Sequence, residues 1–478
     1  MQFIRTENLK PGMRLAKPIY NKMGILLYDR DSKLTAPAIN SIHNFGLIGI
    51  YILEPAEPLP PLSQEDIEFE QNQTIYMFKL RDCLDSIKTG RLPASFHELI
   101  DHIIAHYGSL NHQINFTQNL RSSDDFIYKH MINTAILTAM IAHKMNFKRD
   151  FQSAMVTAAL LYNIGYLYVP KTVLIKGSHM TAGDRDTIQL CLEKGYEDLN
   201  AHFDRTQLID RSMALIEYFI FRKSVKRRIT KANQDLIAMS AVLQVADEYD
   251  ILTAMNIDYA PVSEIIAMQK LQGNPDEYQK TIVDALADCI HIVPAGASVD
   301  LSNGQKAIVL VENPNDFMKP LLLRIDNNQL YDLSNPTIAR HMQITDIMKT
   351  MDNRIAINED TLKLFVADNR IKATAKRFHD KKMRSGHTPK TAIPESAAVS
   401  QATSKATDNK VDSPKEVSTA AGKKADSPKE VSKAAGKKAD SPKEVSKPAA
   451  GAARSTAKTA APSMEIPPTT KAPRRKLL

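Results

Sequence analysis

Between Glu65 and about Asp288 the apolar residues return at the spacing of an α-helix, with little to break the period. Tyr76, Leu80, Cys83, Leu84 and Ile87 share one face, as do Ile100, Ile103 and Ile104. The same spacing runs through Ile127 to Met145, Ala154 to Leu161 and Leu236 to Leu252. Each such helix must bury its apolar face against another, so the expected class is mainly α. His102 and His106 lie four residues apart with His97 before them, but His97-Glu98-Leu99-Ile100-Asp101-His102 misses the HExxH spacing by one residue.

The flanks have a different rhythm. Short apolar runs at Phe3-Ile4, Met13 to Ile19 and Ile25 to Tyr28 are separated by Pro11-Gly12 and Met23-Gly24, as strands and turns are. Thr35 is placed to cap a helix over Ala36 to Phe45, with Pro37 in its first turn and Gly46 ending it. A strand at Ile48 to Ile52 completes a small α/β unit over residues 1–55. The Pro-rich stretch from Glu54 to Pro61 marks a linker, drawn at 56–64.

Residues 65–120 read as helices leading into a helical core at 121–288. After it, Val299 to Gln305 reads as a strand entering an Asn303-Gly304 turn, and Ala307 to Val311 as the returning strand. Leu321 to Ile325 followed by Asn327-Asn328 predicts a second hairpin, giving a β-rich extension over 289–348. A last helix is expected from Glu359 towards Phe378, inside a helical segment at 349–381.

Beyond Lys381 a core is not expected. Asp-Ser-Pro-Lys-Glu-Val-Ser recurs at 412–418, 426–432 and 440–446 in a background of Ala, Lys, Ser and Pro, so 382–478 is expected to be a disordered basic tail. This segment carries the chain's net charge of +8. Residues 371–478 hold 24 Lys and Arg against 10 Asp and Glu, a net +14, which leaves −6 for residues 1–370. Cys83, Cys191 and Cys289 form no CxxC pair, which argues against a disulfide framework or zinc ribbon. The best apolar run, Thr134 to Met145, is interrupted by His143 and Lys144, so no membrane span is expected. A soluble cytoplasmic protein is the expectation.

Five blocks in order carry a family resemblance. They are Asp124-Asp125-Phe126-Ile127-Tyr128-Lys129-His130, Asn163-Ile164-Gly165-Tyr166 with Val169-Pro170, Leu174-Ile175-Lys176-Gly177, Cys191 to Glu197, and Val245-Ala246-Asp247-Glu248-Tyr249-Asp250-Ile251-Leu252-Thr253. Together they resemble bacterial HD-GYP domains of the HD superfamily. Leu9-Lys10-Pro11-Gly12-Met13 and the hairpin from Asp300 to Val311 are similar to extensions that accompany some members. The resemblance covers roughly Met1 to Met348 and none of the tail.

In that family His and Asp side chains hold two or three metal ions, which activate water against a phosphodiester, commonly cyclic di-GMP. Carried over one by one, His130 and Asp247 remain at their ligand positions. The His-Asp pair becomes Tyr162-Asn163, the Lys after it Tyr166, a further ligand His becomes Cys191, and paired His positions fall on Tyr218 and Phe219. The Gly-Tyr-Pro loop falls in Arg222 to Arg228, where that motif is absent. A protonated phenol and a neutral amide are poor ligands for a divalent cation.

The resemblance therefore implies a pseudoenzyme: a catalytically inactive HD-GYP-like signalling or scaffold protein without a cofactor, acting by binding. His130 then reads as a hydrogen-bonded helix histidine and Asp247 as a cap or a partner to a base. Cys191 reads as a small buried hydrophobe, and Tyr218 and Phe219 as bulk filling the vacated chamber. One alternative is a divergent phosphodiesterase using Fe or Mn. Another is a nucleic-acid-associated protein working through its basic tail, whose repeats lack aromatics for base stacking. Arg222, Lys223, Lys226, Arg227 and Arg228 are candidates for phosphate binding, against the plainer reading of a solvated loop. A protein, a cyclic dinucleotide or a polyanion are the partners considered.

Overall fold

The computed structural model describes residues 2–21, 25–53, 63–87, 93–174, 176–221, 234–255, 260–324, 327, 329–347 and 369–385. The expected tail from 386 onward, the basic loop at Arg222 to Arg228 and the first part of the last expected helix lie outside these residues.

The chain opens with β1 (Gln2–Arg5), β2 (Arg14–Leu15), β3 (Ile19–Tyr20), β4 (Leu26–Tyr28), α1 (Ala36–Asn44) and β5 (Gly49–Leu53). β5 sits between β1 and β2, antiparallel to both, and β3 pairs with β4 as a separate ribbon. Thr35 accepts a hydrogen bond from the Ala38 amide at 3.3 Å, so the expected cap forms and α1 starts where its first-turn proline permits. Leu15, Ile42 and Ile50 are the centre of this unit's own small core.

The helical body follows with α2 (Gln64–Ile87), α3 (Ala94–His106), α4 (Phe126–Lys144), α5 (Arg149–Leu161), the short α6 (Lys171–Leu174), α7 (Ala182–His202), α8 (Gln207–Phe221), α9 (Gln234–Thr253), α10 (Glu264–Gln272) and α11 (Lys280–Ala287). α4 is its axis. Every residue from Met131 to Ala142 is buried, because the stretch carries no charge, its polar residues are only Asn133, Thr134 and Thr138, and α2, α5 and α9 cover it. Each fully buried Leu or Ile here contributes roughly 1.5–3 kcal/mol.

A five-stranded antiparallel sheet completes the body: β6 (Ser298–Leu301), β7 (Lys306–Val311), β8 (Leu321–Arg324), β9 (Leu330–Asp332) and β10 (Ile344–Ile347), ordered β10-β6-β7-β8-β9. Gly304 turns the first hairpin at φ +78, a left-handed backbone that the Asn-Gly pair accepts. The short α12 (Pro336–Ala339) links β9 to β10. Among the described residues no helix is long and apolar enough to cross a membrane.

The last helix, α13, spans Asn369–Ser385. It runs past both Phe378 and Lys381, further than the sequence implied. Lys381, Lys382 and Arg384 are good helix formers and complement the negative C-terminal end of the helix dipole, so nothing breaks it before Gly386. Ile371 and Phe378 pin it onto Leu310, Val311, Leu321 and Leu330.

Candidate functional site

Three of the residues singled out by motif, His130, Tyr162 and Asp247, meet between α4, α5 and α9. His130 is buried, and each of its ring nitrogens meets a carboxylate from α9. Nδ1 lies 2.6 Å from Asp250 Oδ2, and Nε2 lies 3.0 Å from Asp247 Oδ1 and 2.8 Å from the Tyr162 hydroxyl. That hydroxyl donates to Asp247 Oδ1 at 2.5 Å. Two carboxylates facing one imidazole require both nitrogens to donate, so His130 is an imidazolium. Burial opposes its charge, but the hydrogen bonds and negative charges of Asp247 and Asp250 prevail and lift its pKa to about 9.

Asp250 is the centre of the cluster. It has no solvent exposure, and its two oxygens accept four hydrogen bonds, the full capacity of a carboxylate. Arg121 Nη2 reaches both oxygens at 2.7 Å, Asn133 Nδ2 reaches Oδ1 at 2.9 Å, and His130 supplies the fourth. Burial alone would raise its pKa. The Arg121 charge and the His130 hydrogen bond reverse this and hold the carboxyl well below the usual range. Arg121 and His130 against Asp247 and Asp250 make two cations and two anions, a net charge of zero.

A neutral amide layer surrounds this quartet. Gln118 Oε1 accepts from Asn133 at 2.9 Å, Asn133 Oδ1 accepts from Gln73 at 3.0 Å, and Gln118 Nε2 donates to Thr253 Oγ1 at 2.8 Å. The loop bearing Gln118 and Arg121 is itself tied to the N-terminal unit. Ile48 N donates to Arg121 O at 2.8 Å, Leu47 bridges Ser122 in antiparallel fashion, and Lys17 Nζ donates to Gln118 O at 2.7 Å.

Tyr162 ends α5 with its hydroxyl in the cluster and its ring edge-on to Phe219, centroids 5.3 Å apart at 89°. Burial, then the nearby Asp247 charge, pushes the phenol well above its ordinary pKa, so it stays protonated. Tyr166 is likewise raised by burial and Asp247, to about 12. Tyr218 and Phe219 are both half-buried on α8, and Phe219 packs against the Tyr162 ring. Asn163 is buried at the start of a 3-10 turn (Ile164–Tyr168) and makes no hydrogen bond to the quartet.

Cys191 differs from the expected buried hydrophobe. It is half-buried on α7, because that stretch of the helix meets the 3-10 turn through backbone and glycine rather than through side-chain bulk. A Cβ on Gly165 would stand 2.3 Å from Cys191 O and 2.4 Å from Leu192 Cα, and one on Gly195 would stand 2.6 Å from Gly165 N. The Ile-Gly of the motif is thus a close backbone crossing. Gly165→Ala should cost about 3 kcal/mol, the upper end of overpacking, since the clash is with backbone that cannot rotate away. Urea unfolding measures this; a loss under about 1 kcal/mol would mean a looser crossing.

Away from this cluster, His102 and His106 stack on the exposed face of α3 with centroids 5.7 Å apart. Among the described residues no group of three or more His, Cys, Asp and Glu is arranged to hold a metal ion.

Motif spacing pointed to His130, Asp247 and the substituted positions but missed Arg121, Asn133 and Gln118. The one signal for Asp250 was its place three residues after Asp247, one helical turn on, hence on the same face of α9. No family model and no curated protein matches the chain. Among solved structures it is similar to Bd1817, a HDG"Y"P protein from Bdellovibrio bacteriovorus, at 15% sequence identity and a TM-score of 0.35, over 60% of this chain and 98% of that one.

Proposed function

We propose that the chain is an HD-GYP-like protein whose metal chamber has become a self-neutralised ion network, and that it works by binding rather than by hydrolysis. One observation carries this reading: both nitrogens of His130 and the inward oxygen of Asp247 are already taken by protein partners. A cation seeking His130 would first have to remove its proton, at about 3 kcal/mol near neutral pH for a group titrating near 9. It would also meet a protonated phenol at Tyr162 and a neutral amide at Asn163, where the resembled family offers an imidazole and a bridging carboxylate. This donor set does not fit a dinuclear centre.

The function that remains is that of a scaffold or signalling partner, recognised by a protein or a cyclic dinucleotide. Elemental analysis of the purified full-length chain, with a cyclic di-GMP hydrolysis assay in manganese or ferrous iron, tests the reading. Far less than one metal per chain and no turnover are expected. Stoichiometric metal together with turnover rejects it. Calorimetric titration with cyclic di-GMP then tells a nucleotide-binding scaffold from a purely protein-binding one.

A further inference from the structure

α13 leaves a cationic surface that the fold does not use. Its sequence holds seven Lys and Arg residues and one acid, Asp380. Three of the cations are engaged: Arg377 pairs with Asp332, Lys382 lies 3.2 Å from Asp288, and Arg370 has a contact of its own. Lys372, Lys376, Lys381 and Arg384 are exposed and make no ion pair or hydrogen bond within the described residues. At 1.5 Å per residue they are spread over about 18 Å of the helix, which is held on the sheet by Ile371, Phe378 and a 2.9 Å bond from Asn315 Nδ2 to Phe378 O.

Asp380 is exposed one turn from Lys376 and from Arg384, so the face carries four cations against one anion, and that excess of positive charge is unfavourable unless a counter-charge arrives; the body, at −6 over residues 1–370, pairs none of the four among the described residues. The sequence after α13 remains strongly basic and has no aromatic residue beyond Phe378. Membrane insertion is disfavoured, because both large apolar side chains of the helix's inner face are spent on docking and only Met383 projects outward. Single strands lack a stacking platform here, since Phe378 is buried. The highest phosphate density, about one charge per 1.7 Å, belongs to a duplex.

We infer that the exposed face of α13 binds the phosphate backbone of a double-stranded nucleic acid, without reading its sequence. This surface is independent of the His130 cluster, so either reading can fail alone. Four phosphate contacts give a slope of about −3.6 in log affinity against log salt, a loss on the order of 100-fold between 50 and 200 mM from this helix alone.

The test uses the full-length chain and a labelled duplex of mixed sequence, titrated by fluorescence anisotropy across that salt range. Replacing Lys372, Lys376, Lys381 and Arg384 together by Gln should flatten the slope by 3 to 4 units, and Lys376→Gln alone by about 1. Lys→Arg replacements at the three lysines should leave it unchanged, and urea melts of all variants should overlay the parent. The inference is overturned if the fourfold variant keeps the parental slope, which would assign binding to the tail. It is equally overturned if the parent ignores duplex at 50 mM salt, or if it prefers a single strand or anionic vesicles to the duplex.

Discussion

Asp250→Ala should destabilise the fold by about 3–5 kcal/mol, the largest loss expected from any single polar substitution here. The carboxylate is fully enclosed, and its removal strands Arg121, which is 4% exposed and cannot shed its proton. It also leaves Asn133 and the Nδ1 side of His130 without their acceptor. A loss of that size is a large share of the 5–15 kcal/mol that a domain ordinarily holds. Combining Asp250→Leu with Arg121→Met should recover much of it, because an apolar pair in place of a buried ion pair is often neutral or better. Chemical denaturation of the two single variants and the double gives the coupling directly. A cost below about 1 kcal/mol for Asp250→Ala would mean that solvent reaches the cluster and screens it.

Raising the pH should weaken the protein through His130. Its folded pKa is about 9 against the ordinary 6.5, so folding favours the protonated form. The stabilisation is complete below pH 6.5, shrinks between 6.5 and 9, and is gone above 9. Its full size is about 3 kcal/mol at 1.36 kcal/mol per unit. His291 adds in the same direction, since its hydrogen bond to Glu312 raises it against burial, and the buried Lys17 and Lys129, lowered by burial, work in the opposite one. The His130 share is therefore the difference between the parent and His130→Gln in urea midpoints taken from pH 6 to pH 9.5. Parallel profiles for the two proteins would exclude an imidazolium at this position.

The helical body was legible because its apolar period is long, and the hairpin at Asn303-Gly304 because its turn chemistry is local. Thr35 and its first-turn proline marked α1 for the same reason. The C-terminal end of α13 was not, since a cation-rich helix pinned by Ile371 and Phe378 has too thin an apolar stripe to stand out from a basic tail. At the site, the motif blocks could be counted along the chain, so His130, Tyr162 and Asp247, which the fold brings into one hydrogen-bond cluster, could be named from sequence. Arg121 was invisible because its partner lies 129 positions further along, and only tertiary structure joins them. Asn133 and Gln118 share that difficulty, being amides whose importance comes from what surrounds them.

The antiparallel bridge between Leu47 and Ser122, with Lys17 holding Gln118, has a consequence for how the protein can be taken apart. A chain shortened to begin at Ser63 would lose α1 with the N-terminal sheet, keep α2 to α13, and lose the backbone anchor of Arg121. The loop that presents the guanidinium to Asp250 would then lose those ties, so the first fifty residues cannot be replaced without disturbing the centre of the bundle. Anything that grips their sheet is pulling, through one short loop, on the carboxylate at the heart of the molecule.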